Sequence, residues 1–375
     1  MKPESYLLPK VAFVGHPVDI KIFRDYIRFL KPDKTYRDEL LVKLFEWMPP
    51  YKIKEFASLP GNDHSGINAA FYMVPFLPEM REIKVKRITE KIDQALAMAA
   101  SDGCVIAALG GFTSIVLQGQ EADFARKHNI KITSGNSLTA AIIVRSIEEV
   151  AERFGVDLKN STVAVIGASG DIGSACMGYF CTRVKRLYAA ARSVPSLNEV
   201  VSRHAGYAAC ELTITADNRE AIDNSDICIF VTSAYTTLFT ADDFRPNTIV
   251  CDASAPLNVK RSEAGLRKDV FLYHGGIASI PYLIDAGFDL GLASPYTFYG
   301  CQLEGLVIAM HPELPCSWGR GNIHREKLDL FLNILDKHPE MGVAFSVENH
   351  LYTDAEMKGY AKRWKEEKTV ESLKV

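Results

Sequence analysis

Two groups of residues in this sequence could do chemistry. The first is Val163–Gly173, V-A-V-I-G-A-S-G-D-I-G, where an apolar run meets Gly167, Gly170 and Gly173 before Ser174-Ala175-Cys176-Met177. Strand, glycine turn and helix in that order make a phosphate cradle. Glycines let the backbone approach a pyrophosphate, and N–H groups at the helix N-terminus stabilise its charge. The register departs from G-x-G-x-x-G, because Ala168 stands where the first glycine would be and Gly167 comes one place earlier. Ser169, Asp171 and Ile172 complete the expected cofactor turn. A plain tight turn in an α/β protein is the bland alternative.

The second strand of this unit bears on the cofactor. In NAD-binding units an acid about 20 residues on holds the ribose 2′-OH. Here the second strand, Arg186–Ala191, runs into Arg192 and Ser193 with no acid. A guanidinium pairs with a 2′-phosphate through a bidentate fork, where a carboxylate would repel it. The reading is NADPH rather than NADH, although an Arg there also suits the start of a solvated loop. Thr232 and Ser233 end the run 226–232, whose polar turn is expected on the nicotinamide side.

The second group surrounds Cys301, in Y-T-F-Y-G-C-Q-L-E-G-L-V-I-A-M at 296–310. Beside a nicotinamide, a cysteine nucleophile could take an acyl group before hydride arrives. Cys301 opens an apolar helix, whose positive end is expected to lower a thiol pKa. By position alone, a cysteine on an apolar helix is better explained as core. Further candidates to face an acyl carbonyl are Gly110, Gly111 and Ser114 in one strand-end turn and Ser134 and Asn136 in another. His16, Tyr299 and His274, at strand ends or beside the cysteine, join them, although each is better explained as a structural residue.

These residues need elements to hold them. Strand-like runs at Lys10–Gly15, Ile67–Phe76, Cys104–Leu109 and Ile130–Thr133 alternate with helical patterns over 20–30, 37–48, 78–100 and 137–154. Residues 58–66 read as a polar loop. Strands at 161–167, 185–191, 209–213, 226–232 and 247–252 then alternate with helices near 171–182, 195–204 and 217–224. Turns at the carboxyl ends of parallel strands are where α/β proteins build sites. The expected fold is α/β: a Rossmann NADP-binding domain with a mostly parallel sheet at 155–296. An α/β substrate domain at 1–154 precedes it, and a C-terminal helical segment at 297–375 carries the cysteine. Residues 354–374 are strongly charged and read as a solvated helix or tail.

Composition sets outer bounds. The 375 residues are 47% hydrophobic and 24% charged, with a net charge of -3, which gives no reason to invoke nucleic acid. No apolar run is long enough to span a bilayer. Eight cysteines include no C-x-x-C pair, so no zinc or other metal site and a reduced, cytoplasmic setting are expected. Lys84, Arg87 and Lys91 share a helix face; it reads as a solvated stripe or as a docking surface for an acidic carrier protein.

Several blocks together resemble a known family. They are F-L-P-E-M at 76–80, A-L-G-G-F-T-S-I-V at 108–116, T-S-G-N-S-L-T-A at 133–140, V-A-V-I-G-A-S-G-D-I-G-S-A at 163–175, A-A-R at 190–192, G-C at 300–301 and S-W-G-R at 317–320. They look like the long-chain acyl-[acyl-carrier-protein] reductases of the cyanobacterial alkane pathway, over about residues 10 to 325. The resemblance implies NADPH-dependent reduction of a long-chain acyl thioester, carried by acyl carrier protein or coenzyme A, to a fatty aldehyde. It implies a cysteine-bound acyl intermediate on Cys301 and, as partners, acyl carrier protein and an aldehyde-consuming enzyme. Two readings compete with it. A shikimate-dehydrogenase-like NADP enzyme acting on a small alcohol or carbonyl would need a Lys–Asp pair at a strand-end turn of the first domain. A non-enzymatic NADPH sensor would leave Cys301 as core.

Overall fold

The computed structural model describes residues 9–17, 20, 24, 34–59, 66–77, 81–204, 206, 208–234, 236–261, 267–319 and 321–372. Most of the helix expected over 20–30, residues 60–65, Pro78-Glu79-Met80 and Arg320 lie outside them. The chain forms two compact units. One comprises 1–136, 282–290 and 298–319; the other comprises 137–281, 291–297 and 320–375. This differs from the three consecutive segments 1–154, 155–296 and 297–375 read from chain order. The reason is local: the helix carrying Cys301 packs on the first unit's sheet, so residues 298–319 belong there, while 320–375 belong to the second unit.

The first unit is built on five strands in the order β2-β3-β1-β4-β5. They are β1 Lys10–Gly15, β2 Tyr51–Leu59, β3 Ile67–Met73, β4 Ile106–Leu109 and β5 Lys131–Thr133. Strands β3, β1, β4 and β5 are parallel, and β2 runs antiparallel along the edge beside β3. The central strand β1 is an unbroken apolar run with its four inner residues buried, as a strand covered on both faces requires. Successive side chains alternate across the sheet. Ala12 and Val14 join Ile88, Ile92 and Leu96 of the helix α2, Arg81–Ser101. Val11 and Phe13 face the other way, where Phe13 meets Phe298 at 5.1 Å. A preceding helix, α1 (Asp38–Trp47), buries Leu41 and Phe45 beside Leu77. Strand β2 was not expected, because Pro49-Pro50 and two lysines mask its alternation.

After the short helices α3 (Phe112–Leu117) and α4 (Glu121–His128), helix α5 (Asn136–Phe154) leads into the second unit. There six parallel strands lie in the order β13-β11-β9-β6-β7-β8. They are β6 Thr162–Ile166, β7 Arg186–Ala190, β8 Glu211–Thr215, β9 Ile227–Phe230, β11 Thr248–Asp252 and β13 Val270–His274. The two-residue strands β10 (Phe239–Thr240) and β12 (Val259–Lys260) pair with each other. Helices α6 (Asp171–Phe180), α7 (Val194–His204) and α8 (Asn218–Asp223) provide the crossovers. Order and direction are those of a doubly wound Rossmann sheet, with its switch point between β6 and β9.

The later helices are α9 (Gly300–Met310), α10 (Arg325–Lys337) and α11 (Asp354–Ser372). Helix α11 is not the solvated tail its charge suggests. Met357, Tyr360 and Trp364 are buried along one side. Trp364 lies 5.0 Å from Phe154 and Tyr360 5.0 Å from Phe271, ring centroid to centroid. The Tyr360 hydroxyl donates to the Arg267 carbonyl at 2.9 Å. Three apolar side chains one turn apart fix the helix whatever the other face carries.

Candidate functional site

In the first unit, three parallel strands end in short turns: Gly15-His16 after β1, Gly110–Ser114 after β4 and Ser134–Asn136 after β5. Helix α9 brings Cys301 to the second and third of these turns and Gln302 to the first and second. Its Gly305 permits a close approach to the sheet, for a Cβ there would stand 2.8 Å from Ala108 Cβ and 3.1 Å from Val11 Cγ1. Gly135, at φ +72°, lies so near the Cys301 backbone that a Cβ would overlap its carbonyl and Cα. Gly110 is filled in the same way, because the Gln302 side chain occupies the place where a Cβ would go.

Cys301 is partly exposed, whereas Cys104, Cys176, Cys181, Cys228 and Cys251 are buried. Its thiol pKa is pushed up to about 11 by burial, with backbone N–H groups of Gly111 and Gln302 pulling the other way. The lowering expected from the helix end is therefore outweighed by desolvation in this structure.

His16 is fixed by two hydrogen bonds that assign its tautomer. The Phe112 N–H donates to Nε2 at 2.9 Å, so Nε2 is unprotonated, and Nδ1 donates to the Pro17 carbonyl at 2.8 Å. The ring stacks on Phe76 at 4.4 Å, and burial lowers its pKa to about 4. His16 thus holds the 110–114 turn and has no proton on Nε2 to offer an oxyanion. Tyr299 is likewise committed, donating its hydroxyl to the Leu290 carbonyl at 2.8 Å. The Ser114 hydroxyl donates to the Gly111 carbonyl at 2.8 Å, closing its own turn. The Ser134 hydroxyl and the Gln302 carbonyl oxygen are buried and have no hydrogen-bond partner among the described residues. Asn136 is half-buried at the start of α5.

Two residues missed from the sequence tie these turns together. The Thr133 hydroxyl donates to the carboxylate of Glu304, which is fully buried one helical turn beyond Cys301. Thr133 Oγ1 also accepts from the Gly135 N–H at 3.3 Å and the Ser317 N–H at 3.0 Å. A carboxylate inside an apolar helix was the available signal, since buried charges need partners.

In the second unit, the turn between β6 and α6 has the geometry its glycines require. Gly167 has φ +95°, and a Cβ there would stand 2.7 Å from the Val231 carbonyl oxygen. A Cβ on Gly173 would be 2.9 Å from Ala168 Cα, so the helix start is packed against the turn by the missing side chain. Ser169, Gly170 and Ile172 are partly exposed around it. These features fit a dinucleotide pyrophosphate. Asp171 is mostly buried and accepts from the Gly321 N–H at 3.1 Å, which gives its carboxylate a scaffold contact.

Arg192 is exposed just beyond β7 and has no ion-pair partner among the described residues, a placement that fits a 2′-phosphate. Other candidates serve the scaffold. Ser193 accepts from the Ser196 N–H at 3.3 Å at the start of α7. The Thr232 hydroxyl bonds Asn258, and the Thr232 N–H donates to Ser254 Oγ at 3.1 Å. Ser233 is partly exposed. His274 accepts from the Glu348 N–H at 3.2 Å, with its pKa lowered to about 4 by burial. Among the described residues no group of three or more His, Cys, Asp and Glu could hold a metal ion, and no helix is long and apolar enough to cross a membrane.

The basic residues of α2 do not form an open docking stripe. Lys91 is buried, and its Nζ donates to the carbonyls of Phe45 at 2.9 Å and Pro75 at 2.6 Å. Lys84 and Arg87 both pair with Glu46. The stripe's shared face is turned toward α1. Among the described residues, the Lys–Asp pairs of this unit, Lys52–Asp102, Lys54–Asp285 and Lys127–Asp93, include no residue of the three strand-end turns.

Residues 148–274 match the shikimate/quinate 5-dehydrogenase family. The chain is 25% identical over 354 residues to a long-chain acyl-[acyl-carrier-protein] reductase of Synechococcus elongatus, covering 90% of this chain and 99% of that protein. It is 22% identical over 312 residues to the aminotransferase PigE of a Serratia species, covering 80% of this chain but only 36% of that longer protein. Among solved structures it overlaps the nucleotide-binding domain of glutamyl-tRNA reductase from Thermoplasma volcanium at 18% identity. That overlap has a TM-score of 0.27 and covers 35% of this chain and 83% of that one. Sheet order, glycine turn and family match together give the chain the architecture of an NAD(P)-dependent oxidoreductase of Rossmann type.

Proposed function

We propose that this protein reduces a long-chain acyl thioester to a fatty aldehyde, with NADPH as reductant and Cys301 as the acyl acceptor. The observation that carries this reading is the placement of Cys301. A partly exposed cysteine opens an apolar helix, beside the backbone of the turns at the ends of β4 and β5. The extended similarity to the Synechococcus reductase supports the thioester class and an acyl carrier protein as donor.

The residues that would hold the cofactor are Gly167, Ser169, Gly170, Ile172 and Gly173 at the pyrophosphate and Arg192 at the 2′-phosphate. When bound, NADPH supplies hydride. The chain's own part begins with Cys301 attacking the thioester carbonyl. The carbon–sulfur bond to the carrier breaks, the acyl–Cys301 bond forms, and the thiol proton leaves on the carrier sulfur. Because burial holds the thiol protonated near neutrality, proton removal accompanies attack. The Gly111 and Gln302 N–H groups stabilise the tetrahedral oxyanion. Two-electron reduction of the acyl carbon then expels Cys301 as thiolate, which regains a proton as aldehyde leaves.

The test is product analysis. Purified protein, NADPH and a long-chain acyl thioester of carrier protein or coenzyme A should yield one fatty aldehyde per NADPH consumed, and Cys301→Ala should yield none. Turnover of small alcohols by Cys301→Ala would support the dehydrogenase reading instead.

A further inference from the structure

Helix α1 buries one apolar side and exposes another. Leu41 and Phe45 are each 1% exposed, whereas Leu40, Leu44 and Trp47 are 53%, 45% and 74% exposed. At 3.6 residues per turn, 40, 44 and 47 fall on one face. Lys43 on one flank and Arg37 at the helix start on the other are exposed cations. The Arg87 guanidinium sits 4.3 Å above the Trp47 ring. Two of the helix's carboxylates are neutralised, Asp38 by Arg24 at 2.5 Å and Glu46 by Lys84 and Arg87. The outer face therefore reads Arg, Leu, Lys, Leu, Trp, with Glu39 beyond its edge.

Contiguous exposed apolar side chains with a tryptophan mark an interaction surface. Long cationic side chains beside them can lay their stems along the apolar layer and keep their charge in a polar one. One convex helix face is small for a stable protein interface, which buries about 1,200 Å² or more in total. It suffices for reversible attachment to a fluid surface, which needs apolar side chains that enter the headgroup boundary and cations that meet lipid phosphates. We propose that α1 is a peripheral attachment site for an anionic lipid bilayer, with Leu40, Leu44 and Trp47 inserted and Arg37 and Lys43 at the phosphates. This attachment is independent of the reaction at Cys301.

The test is flotation of the full chain with vesicles of phosphatidylcholine alone or with about a quarter phosphatidylglycerol. The chain should float with the anionic vesicles and much less with the neutral ones. Trp47 emission should shift to the blue, a change that Trp47→Phe abolishes while leaving flotation largely intact. Leu40→Ser with Leu44→Ser should weaken binding about ten-fold or more, and Lys43→Glu should remove most of the preference for anionic lipid. Circular dichroism of these surface variants should match the wild type. Failure to float, or flotation unchanged by Leu40→Ser with Leu44→Ser in a folded protein, would overturn the proposal. A dimer that these changes dissociate, without lipid binding, would also overturn it and assign the face to a second copy of the chain.

Discussion

Gly135 lies against the Cys301 backbone with no room for a side chain between them. The strand-end turn and the start of α9 are thus packed to backbone contact. Gly135→Ala should lower stability by about 2–4 kcal/mol, since it combines a steric clash with a positive φ. It should also change the alkylation rate of Cys301 in whatever fraction still folds. Urea unfolding and iodoacetamide labelling read the two effects separately; unchanged stability would contradict the close packing.

The Cys301 thiol should titrate late. With its pKa pushed up to about 11, iodoacetamide labelling in the absence of substrate should be slow at neutral pH and still be rising above pH 9. A thiol that folding holds protonated contributes stability below its unfolded pKa, and that contribution is lost as pH rises through about 11. Cys301→Ala should therefore flatten part of the alkaline fall in stability. A labelling midpoint below about 8 would contradict the desolvated environment.

His16 carries the opposite sign. Burial lowers its pKa to about 4, so the unfolded chain binds the proton more readily. Stability should fall as pH drops from about 6.5 toward 4. Because His274 shares this shift, the diagnostic is a comparison. His16→Asn should be less stable than wild type near pH 7, and the gap should narrow toward about pH 5. A pH-independent gap in thermal midpoints would count against the neutral ring.

Lys91 and Lys84 should separate cleanly, although both lie on α2. Lys91→Met leaves the carbonyls of Phe45 and Pro75 without their donor and should cost about 2–4 kcal/mol. Lys84→Ala removes a surface pair and should cost less than about 1 kcal/mol. Denaturant midpoints decide it, and equal effects would contradict the burial of Lys91.

Arg192→Ala should weaken NADPH binding about ten- to a hundred-fold and leave NADH binding nearly unchanged. Titration of intrinsic fluorescence with each dinucleotide measures both. An equal loss for both would mean that Arg192 does not contact the 2′-phosphate.

Most strands of the Rossmann sheet were legible as short apolar runs bounded by turn residues, and Gly167 and Gly173 mark a place where backbone meets backbone; β8, Glu211–Thr215, alternates polar and apolar residues and lies two places beyond the expected 209–213. The strand-end turns were legible for the same reason. Side-chain commitments were not. His16, Tyr299, Ser114, Ser193 and Thr232 all look available in sequence, yet each is held by a neighbouring group that only folding supplies. Lys91 follows the same logic inverted: its spacing with Lys84 and Arg87 shows a shared face, but spacing does not say whether that face meets water or α1. In α11, six acidic and basic side chains from Asp354 to Lys365 obscured Met357, Tyr360 and Trp364, whose spacing was the informative signal. Glu304 and Thr133 were missed because their partnership spans two distant segments.

The central claim is that Cys301 accepts an acyl group. Purified protein mixed with a long-chain acyl thioester, without NADPH, should gain the mass of one acyl group. Peptide mapping should place it on Cys301, Cys301→Ala should lack it, and added NADPH should remove it as aldehyde. A folded wild-type protein that gains no acyl mass from either carrier-protein or coenzyme A thioesters, or a Cys301→Ala variant acylated as readily, would contradict the account.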